Sequence, residues 1–434
     1  MKVYLDSIGC RLNQSELEIY ARQFRGAGHT LVPTPQEADL AVINTCTVTN
    51  AADSDSRSKI RWAVRAGTKE VIVTGCWSTM NPKTAQSFPG VSQVIPNEEK
   101  DLLVSNLLDI SPEIFDLEPL SRELIPGARL RTRAFIKVQD GCDNRCSFCV
   151  TTIARGPGKS RPVSDTLNDI YAAIDRESNN DSSAKEIVLT GVHLGSWGQD
   201  FSPPLHLSHL VKTILNETDV PRIRLSSLEP WDLNEEFFSL WENPRLCRHL
   251  HLPLQSGSSS VLRRMARKTA PESYAALVNA VRSAYPHIAI TTDLIAGFPG
   301  ETEEEFLETI QFINEMSFAG GHVFTYSTRP ETSAARLPNQ VPFPIRKERN
   351  ARLRSLLADS ARNYQLYFLN KTLPVLWESV TAMDSESWHL RGLTDNYLRV
   401  NAQAHRHLWN QITPVYLTEL GDNGLQGKIN NSSV

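Results

Sequence analysis

The chain reads as an α/β protein in three parts: a parallel-sheet amino-terminal domain, a partial (β/α) barrel, and a small all-β carboxy-terminal barrel. Three observations predict this. Short apolar runs alternate with helix-length stretches over the first hundred residues. The alternation resumes near residue 134 for about six units, and after Lys371 it gives way to short strand-like runs separated by polar turns. Apolar runs that alternate with helices read as βαβ units on a parallel sheet, whereas closely spaced short strands read as a small barrel.

The amino-terminal domain is placed at 1–110. KVYLDSIGC, DLAVINTC and EVIVTGC are its strands, with helical stretches through SELEIYARQF and SRSKIRWAVRAG between them, and VSQVIP at 91–96 continues the series. The segment 111–130, with SPE, LEPL and PGARL, reads as a linker. The barrel is placed at 131–365 on the strands FIKVQD, EIVLTGV, RIRLSSLEP, HLHLPLQ, AITTDLIAGF and GHVFTYS. Six units are too few for a closed eight-unit barrel, so the expectation is an open one with its active site at the carboxyl ends of the strands. The acidic run from Glu301 to Glu305 reads as a helix amino terminus favoured by the dipole.

Residues 344–369 predict a basic helical stretch, with Arg346, Lys347, Arg349, Arg352, Arg354 and Arg362 against Glu348 and Asp359. It reads equally as a solvated face or as a phosphate contact. Arg263, Arg264, Arg267 and Lys268 form a second basic group. The third domain, 366–430, rests on PVLWESV, NYLRVNA and TPVYLTEL, and the tail after Gly424 is expected to fray.

The 434 residues are 40% hydrophobic, enough for a large core, and no stretch approaches the roughly 18 apolar residues of a membrane span. The expectation is a cytoplasmic protein with no membrane partner. A net charge of −4 gives no long-range attraction to phosphate, so an RNA partner must be met by local patches. Seven cysteines are too sparse for a disulfide scaffold in a chain of this length and read better as reduced thiols that serve as ligands. Cys247 shares no motif and reads as structural.

Cys142, Cys146 and Cys149 lie in DGCDNRCSFCV, directly after the strand FIKVQ, so one loop presents three thiols within eight residues. A structural zinc site or scattered buried thiols are the plain alternatives. Structural zinc normally takes four protein ligands, and no nearby histidine or fourth cysteine completes a set. Three thiolates on a cubane leave one iron open to substrate. This C-x3-C-x2-C loop ahead of a partial barrel resembles the radical S-adenosylmethionine superfamily, in which the open iron chelates S-adenosylmethionine and an electron cleaves it to a 5′-deoxyadenosyl radical. The resemblance implies cofactor-binding positions at Phe148, Gly191, Glu229 and Gln255; taken singly, the last three read as turn residues and Phe148 as a packed loop aromatic.

Cys10, Cys46 and Cys76 each end a predicted strand, in SIGC, NTC and TGC. The carboxyl ends of parallel strands lie along one edge, where open α/β sheets bind ligands. Three buried cysteines would explain the same pattern. With both triads in this order, the chain resembles the methylthiotransferases. SIGCRLNQSE, INTCTVTNAA and VTGCW fit an auxiliary-cluster domain, GCDNRCSFC with ARGPGKSRP the radical barrel, and VLWESV with GLTDNYLRV a TRAM-like barrel. Thr152 stands where many members have proline.

The resemblance implies two [4Fe–4S] clusters, S-adenosylmethionine, a tRNA partner with a modified adenosine, and a flavodoxin or ferredoxin type electron donor; it leaves the sulfur donor open. GVHLGSWG and GLTDNYLRV look most like the branch that methylthiolates carbon 2 of threonylcarbamoyladenosine beside the anticodon. The alternatives are isopentenyladenosine in tRNA, an aspartate of a ribosomal protein, or a non-catalytic iron–sulfur or zinc RNA-binding protein. Trp77 and Trp197 stand beside the proposed ligand edges as candidates for base stacking, with core packing as the alternative for each.

Overall fold

The computed structural model describes residues 1–112, 115, 125–126, 132–174, 183–383 and 387–429. The predicted linker 111–130 lies outside the described residues apart from 111, 112, 115, 125 and 126. The chain divides into two compact units. The first comprises residues 1–144, 149–183 and 189–205, and the second 145–148, 184–188 and 206–434.

In the first unit, β1 (Lys2–Ser7), β2 (Thr30–Leu31), β3 (Leu40–Thr45), β4 (Glu70–Gly75) and β5 (Val91–Ile95) form a parallel sheet in the order β2-β1-β3-β4-β5. Successive residues of a strand point to opposite faces, and both faces here are apolar because helices cover both. Val3, Leu5, Leu40 and Val42 pack with Leu17, Tyr20 and Phe24 of the helix Arg11–Gly26. Tyr4, Ala41 and Ile43 pack with Ile60 and Ala63 of the helix Asn50–Arg65. Each large apolar side chain fully buried in this way contributes about 2 kcal/mol. The register sets Ser7 beside Asn44 and Asn44 beside Thr74, so β1, β3 and β4 finish level at one edge.

The same unit contains β6 (Arg133–Lys137), β7 (Gln139–Asp140) and β8 (Lys159–Ser160), the last two paired antiparallel. The strand β9 (Glu186–Thr190) gives its last two residues to this unit, where Val138 N–H donates to the Thr190 carbonyl at 3.0 Å.

The second unit holds β10 (Arg222–Leu225), β11 (His249–His251), β12 (Ala289–Ala296) and β13 (Gly320–Thr325). The last three form a parallel sheet in the order β11-β12-β13. All six expected barrel strands are therefore present as β6 and β9–β13. The acidic run before the helix Glu303–Met316 is a capping box: the Thr302 hydroxyl accepts from Glu305 N–H, and the Glu305 carboxylate accepts from Thr302 N–H.

Carboxy-terminal strands β14 (Thr372–Met383), β15 (Trp388–Thr394), β16 (Arg399–Ala404), β17 (Ile412–Gly421) and β18 (Gly424–Ile429) close a barrel in the order β14-β15-β16-β18-β17. The expectation of fraying after Gly424 is overturned as far as Ile429, and residues 430–434 lie outside the described residues. Leu425 is fully buried in this barrel's core with Val375, Trp377, Val400 and Val415, and β18 closes the ring between β16 and β17. Among the described residues no helix is long and apolar enough to cross a membrane.

Candidate functional site

The level edge of the amino-terminal sheet explains the first cysteine triad. Cys10 leads into the helix Arg11–Gly26, Cys46 follows β3, and Cys76 opens a short helix directly after β4. Gly9, at φ +107°, lets the turn before Cys10 press against Cys46; a Cβ there would stand 2.6 Å from the Cys46 Sγ. Gly75, at φ +96°, plays the same part before Cys76, where a Cβ would lie 2.3 Å from the Thr45 carbonyl. Only glycine adopts these conformations without strain.

The three thiols lie close enough to act on one another. Burial pushes the Cys46 thiol up to about 11, and the neighbouring Cys10 and Cys76 add to this while Arg155 opposes it. Asn13 ties the turns together: its Nδ2 donates to the Ile8 carbonyl at 2.8 Å and the Thr45 carbonyl at 3.1 Å, and its Oδ1 accepts from Cys10 Sγ at 3.6 Å.

Sequence reasoning missed the side chain beneath this triad. Arg155, fully enclosed in the first unit, donates from Nε to Cys76 Sγ at 3.2 Å, from Nη1 to Glu16 at 3.1 Å and Asp140 at 2.8 Å, and from Nη2 to Asn13 at 2.7 Å. Lys100 Nζ stands 2.7 Å from both Glu16 and Asp140, and Lys137 Nζ lies 2.9 Å from Asp140. Burial alone would raise the Glu16 carboxyl, but Lys100, Arg155 and Lys137 hold it down at about 2. The signal lay in ARGPGKSRP, where an arginine follows the cysteine loop without an acidic neighbour in sequence.

The second cysteine loop is divided between the units. In the first unit, Cys142 N–H donates to the Gly156 carbonyl at 3.0 Å, Asn144 N–H donates to Cys142 Sγ at 3.4 Å, and the Thr152 hydroxyl donates to Cys149 Sγ at 3.6 Å. Gly141 permits the fold-back, since a Cβ there would stand 1.9 Å from the Pro157 carbonyl. In the second unit, Arg267 Nη1 lies 3.8 Å from Cys146 Sγ, and Ser147 is clamped by bonds to Met265, Arg264 and Ala334. Each of the three sulfurs thus faces a hydrogen-bond donor.

The other expected positions fall as follows. Glu229 is held bidentately by Arg267, at 2.9 and 2.6 Å, so its carboxylate orients the guanidinium beside Cys146. Phe148 packs against the cluster of Val261, Met265, Phe298 and Ala334, with its ring edge-on to Phe298 at 6.3 Å. Gly191 lets β9 approach Gln139, whose Oε1 would stand 2.9 Å from a Cβ there. Gln255 sits at φ +75°, where its N–H donates to Asp293 and its carbonyl accepts from Ile295.

Trp77 and Trp197 are both buried, the latter with its Nε1–H donated to the Arg161 carbonyl, so neither presents a ring for stacking. The basic stretch forms as the helix Phe343–Leu366, but Arg349 is enclosed and paired with Glu301 and Glu303, while Lys347, Arg354 and Arg362 remain exposed. A phosphate contact through Arg349 is excluded for this reason. In the second basic group, Arg264 is likewise taken by Glu305, and Arg263 and Lys268 are exposed.

A further set, absent from the sequence reasoning, lies on β11–β13. His251 Nε2 and His322 Nδ1 each stand 3.2 Å from an oxygen of Asp293, and His322 is largely exposed. Cys247 is buried, and burial raises its thiol to about 12, in keeping with a structural role.

Comparison with known proteins places these features. Residues 2–95 match Uncharacterized protein family UPF0004, and residues 136–313 match the Radical SAM superfamily. The chain is 35% identical over 430 residues to the threonylcarbamoyladenosine tRNA methylthiotransferase MtaB of Bacillus subtilis (strain 168), covering 96% of this chain and 94% of that protein. It is 28% identical over 449 residues to the tRNA-2-methylthio-N(6)-dimethylallyladenosine synthase of Alkaliphilus oremlandii (strain OhILAs), covering 99% and 92%. Among solved structures, the radical S-adenosylmethionine methyltransferase TsrM from Kitasatospora setae, with tryptophan substrate and a SAM analog bound, superposes with a TM-score of 0.58 at 15% identity over 77% of this chain and 75% of that one. That likeness is one of fold.

Proposed function

Starting from the fact that this chain belongs to the radical S-adenosylmethionine tRNA methylthiotransferase family, we propose that it adds a methylthio group to carbon 2 of threonylcarbamoyladenosine beside the anticodon of tRNA. Its cofactors are two [4Fe–4S] clusters and S-adenosylmethionine. The observation that carries the choice of acceptor is the near full-length 35% identity to a relative named for that nucleoside, against 28% to one named for the dimethylallyl form.

The ligand sets belong to the same proposal. Cys142, Cys146 and Cys149 hold the cluster that meets S-adenosylmethionine, and Cys10, Cys46 and Cys76 hold the auxiliary one. The donor chemistry fits: each triad offers three thiols, and an all-thiol set of three leaves one iron of a cubane open. When bound, these groups supply the electron and the radical that break an aromatic C–H bond no acid–base pair could break easily. The protein's own residues hold and orient. Asn144, Thr152 and Arg267 direct donors at the loop sulfurs, Glu229 fixes Arg267, and Asn13 locks the turns before Cys10 and Cys46. Electrons arrive from a flavodoxin or ferredoxin type donor.

The acceptor's threonyl group brings a carboxylate and a hydroxyl that an isopentenyl group lacks. Reconstituted enzyme with reductant and S-adenosylmethionine is expected to methylthiolate tRNA bearing the threonylcarbamoyl group and to leave isopentenyl tRNA and the ribosomal protein unmodified, read by nucleoside and peptide mass spectrometry. Preference for either of the latter refutes the acceptor while leaving the radical chemistry standing.

A further inference from the structure

We propose that Arg155 tunes the auxiliary cluster: its Nε–H donates a hydrogen bond to the Cys76 sulfur and thereby raises the reduction potential of a cluster held by Cys10, Cys46 and Cys76. This rests on the ligand reading of that triad. Nε lies 3.2 Å from Cys76 Sγ, a normal donor distance to sulfur, and three further hydrogen bonds hold the fork, from Nη1 to Glu16 and Asp140 and from Nη2 to Asn13. The guanidinium is planar and only 2% exposed, so it cannot turn away from the sulfur without breaking several charged bonds in a low-dielectric interior.

The hold extends to the other two turns. Asn13, which accepts from Arg155, donates to the carbonyls two residues before Cys10 and one before Cys46. Asn97 adds a longer contact to Cys76 Sγ at 3.6 Å and a bond to the Ala154 carbonyl at 2.7 Å, which pins the segment carrying Arg155. Cys76 therefore differs from its two companions in accepting a direct hydrogen bond from the buried cation. A donor on a ligand sulfur stabilises the reduced, more negative cluster more than the oxidised one, which moves the potential upward. The donor comes from the helix Thr151–Arg155, which begins two residues after Cys149, so a segment only seven residues long carries both a thiol of one triad and the donor to the other.

A purely structural Arg155, present to neutralise Glu16 and Asp140, predicts a different result. The test uses the full chain with Cys142, Cys146 and Cys149 changed to Ala, which leaves the auxiliary cluster alone. Potentiometric EPR titration compares this protein with the same protein carrying Arg155→Lys, which keeps the charge and loses the planar fork. The proposal expects equal iron and a shift to more negative potential; equal iron with equal potential overturns it. If the lysine variant loses iron, the decisive reading comes from the unsubstituted Arg155 protein grown with 15N-guanidino arginine. The reduced cluster is then expected to show a weak 15N hyperfine coupling, and its absence overturns the proposal. Failure of the triple-alanine protein to hold any cluster overturns the ligand reading and this proposal together, whereas a cluster without the coupling or the shift removes Arg155 alone.

Discussion

Gly9 and Cys46 are in direct apposition: a Cβ on Gly9 would stand 2.6 Å from both the Cβ and the Sγ of Cys46. Because Gly9 also sits at φ +107°, Gly9→Ala meets a strained backbone and a collision at once, together worth roughly 1–3 kcal/mol. The expected outcome is displacement of Cys46 and loss of about half the iron, from roughly eight to roughly four per chain. Gly28 has φ +78° and nothing within 4 Å of a Cβ, so Gly28→Ala carries the backbone strain alone and is expected to keep its full iron. Equal iron in the two variants would detach Cys46 from the auxiliary site.

The second prediction concerns Arg224 and Glu186, both fully buried and paired at 2.7 Å. Arg224 also donates to the Thr394 and Asp395 carbonyls at the turn of the carboxy-terminal barrel. Arg224→Met removes the nearest cation from the buried Glu186, leaving it only Arg222 at 3.9 Å, a loss of about 3–5 kcal/mol in urea unfolding of the apo protein. Adding Glu186→Leu is expected to recover part of that loss. A double variant no more stable than the single one would show that the carbonyl bonds, rather than the ion pair, carry the cost.

Protonation of Glu16 gives a third. Its carboxyl falls from an ordinary 4.5 to about 2 in the folded state, against its burial, because Lys100, Arg155 and Lys137 surround it. A depressed acid contributes stability that is present above 4.5 and lost as pH falls toward 2, here of order 3 kcal/mol. Apo protein should therefore lose stability across that window, and Glu16→Gln should flatten the dependence there while costing stability at neutral pH. An unchanged slope in the variant would place the acid sensitivity elsewhere.

Much of this was legible in the sequence because short continuous apolar runs and strand-end cysteines are local signals. DLAVINTC contains both the β3 strand and the thiol that follows it, and the parallel register does the rest. What stayed hidden depends on long-range packing. Arg155 reads as one more basic residue until the fold brings Glu16, Asp140 and Cys76 around it, from 139, 15 and 79 residues away. Arg349 reads as a phosphate contact until Glu301 and Glu303 enclose it, and Trp77 and Trp197 become core because apolar neighbours cover both rings. The strand β18 was missed because GLQGKI has weak alternation and depends on its two neighbours for definition.

The central claim is a division of labour between two separately held clusters, and one comparison tests it most directly. Iron content and 5′-deoxyadenosine formation are measured for two full-length triple variants, Cys142, Cys146 and Cys149→Ala and Cys10, Cys46 and Cys76→Ala. The account predicts about half the iron in each, no 5′-deoxyadenosine from the first, and continued S-adenosylmethionine cleavage without methylthio transfer from the second. A full complement of iron in either variant, or 5′-deoxyadenosine from the first, would contradict it.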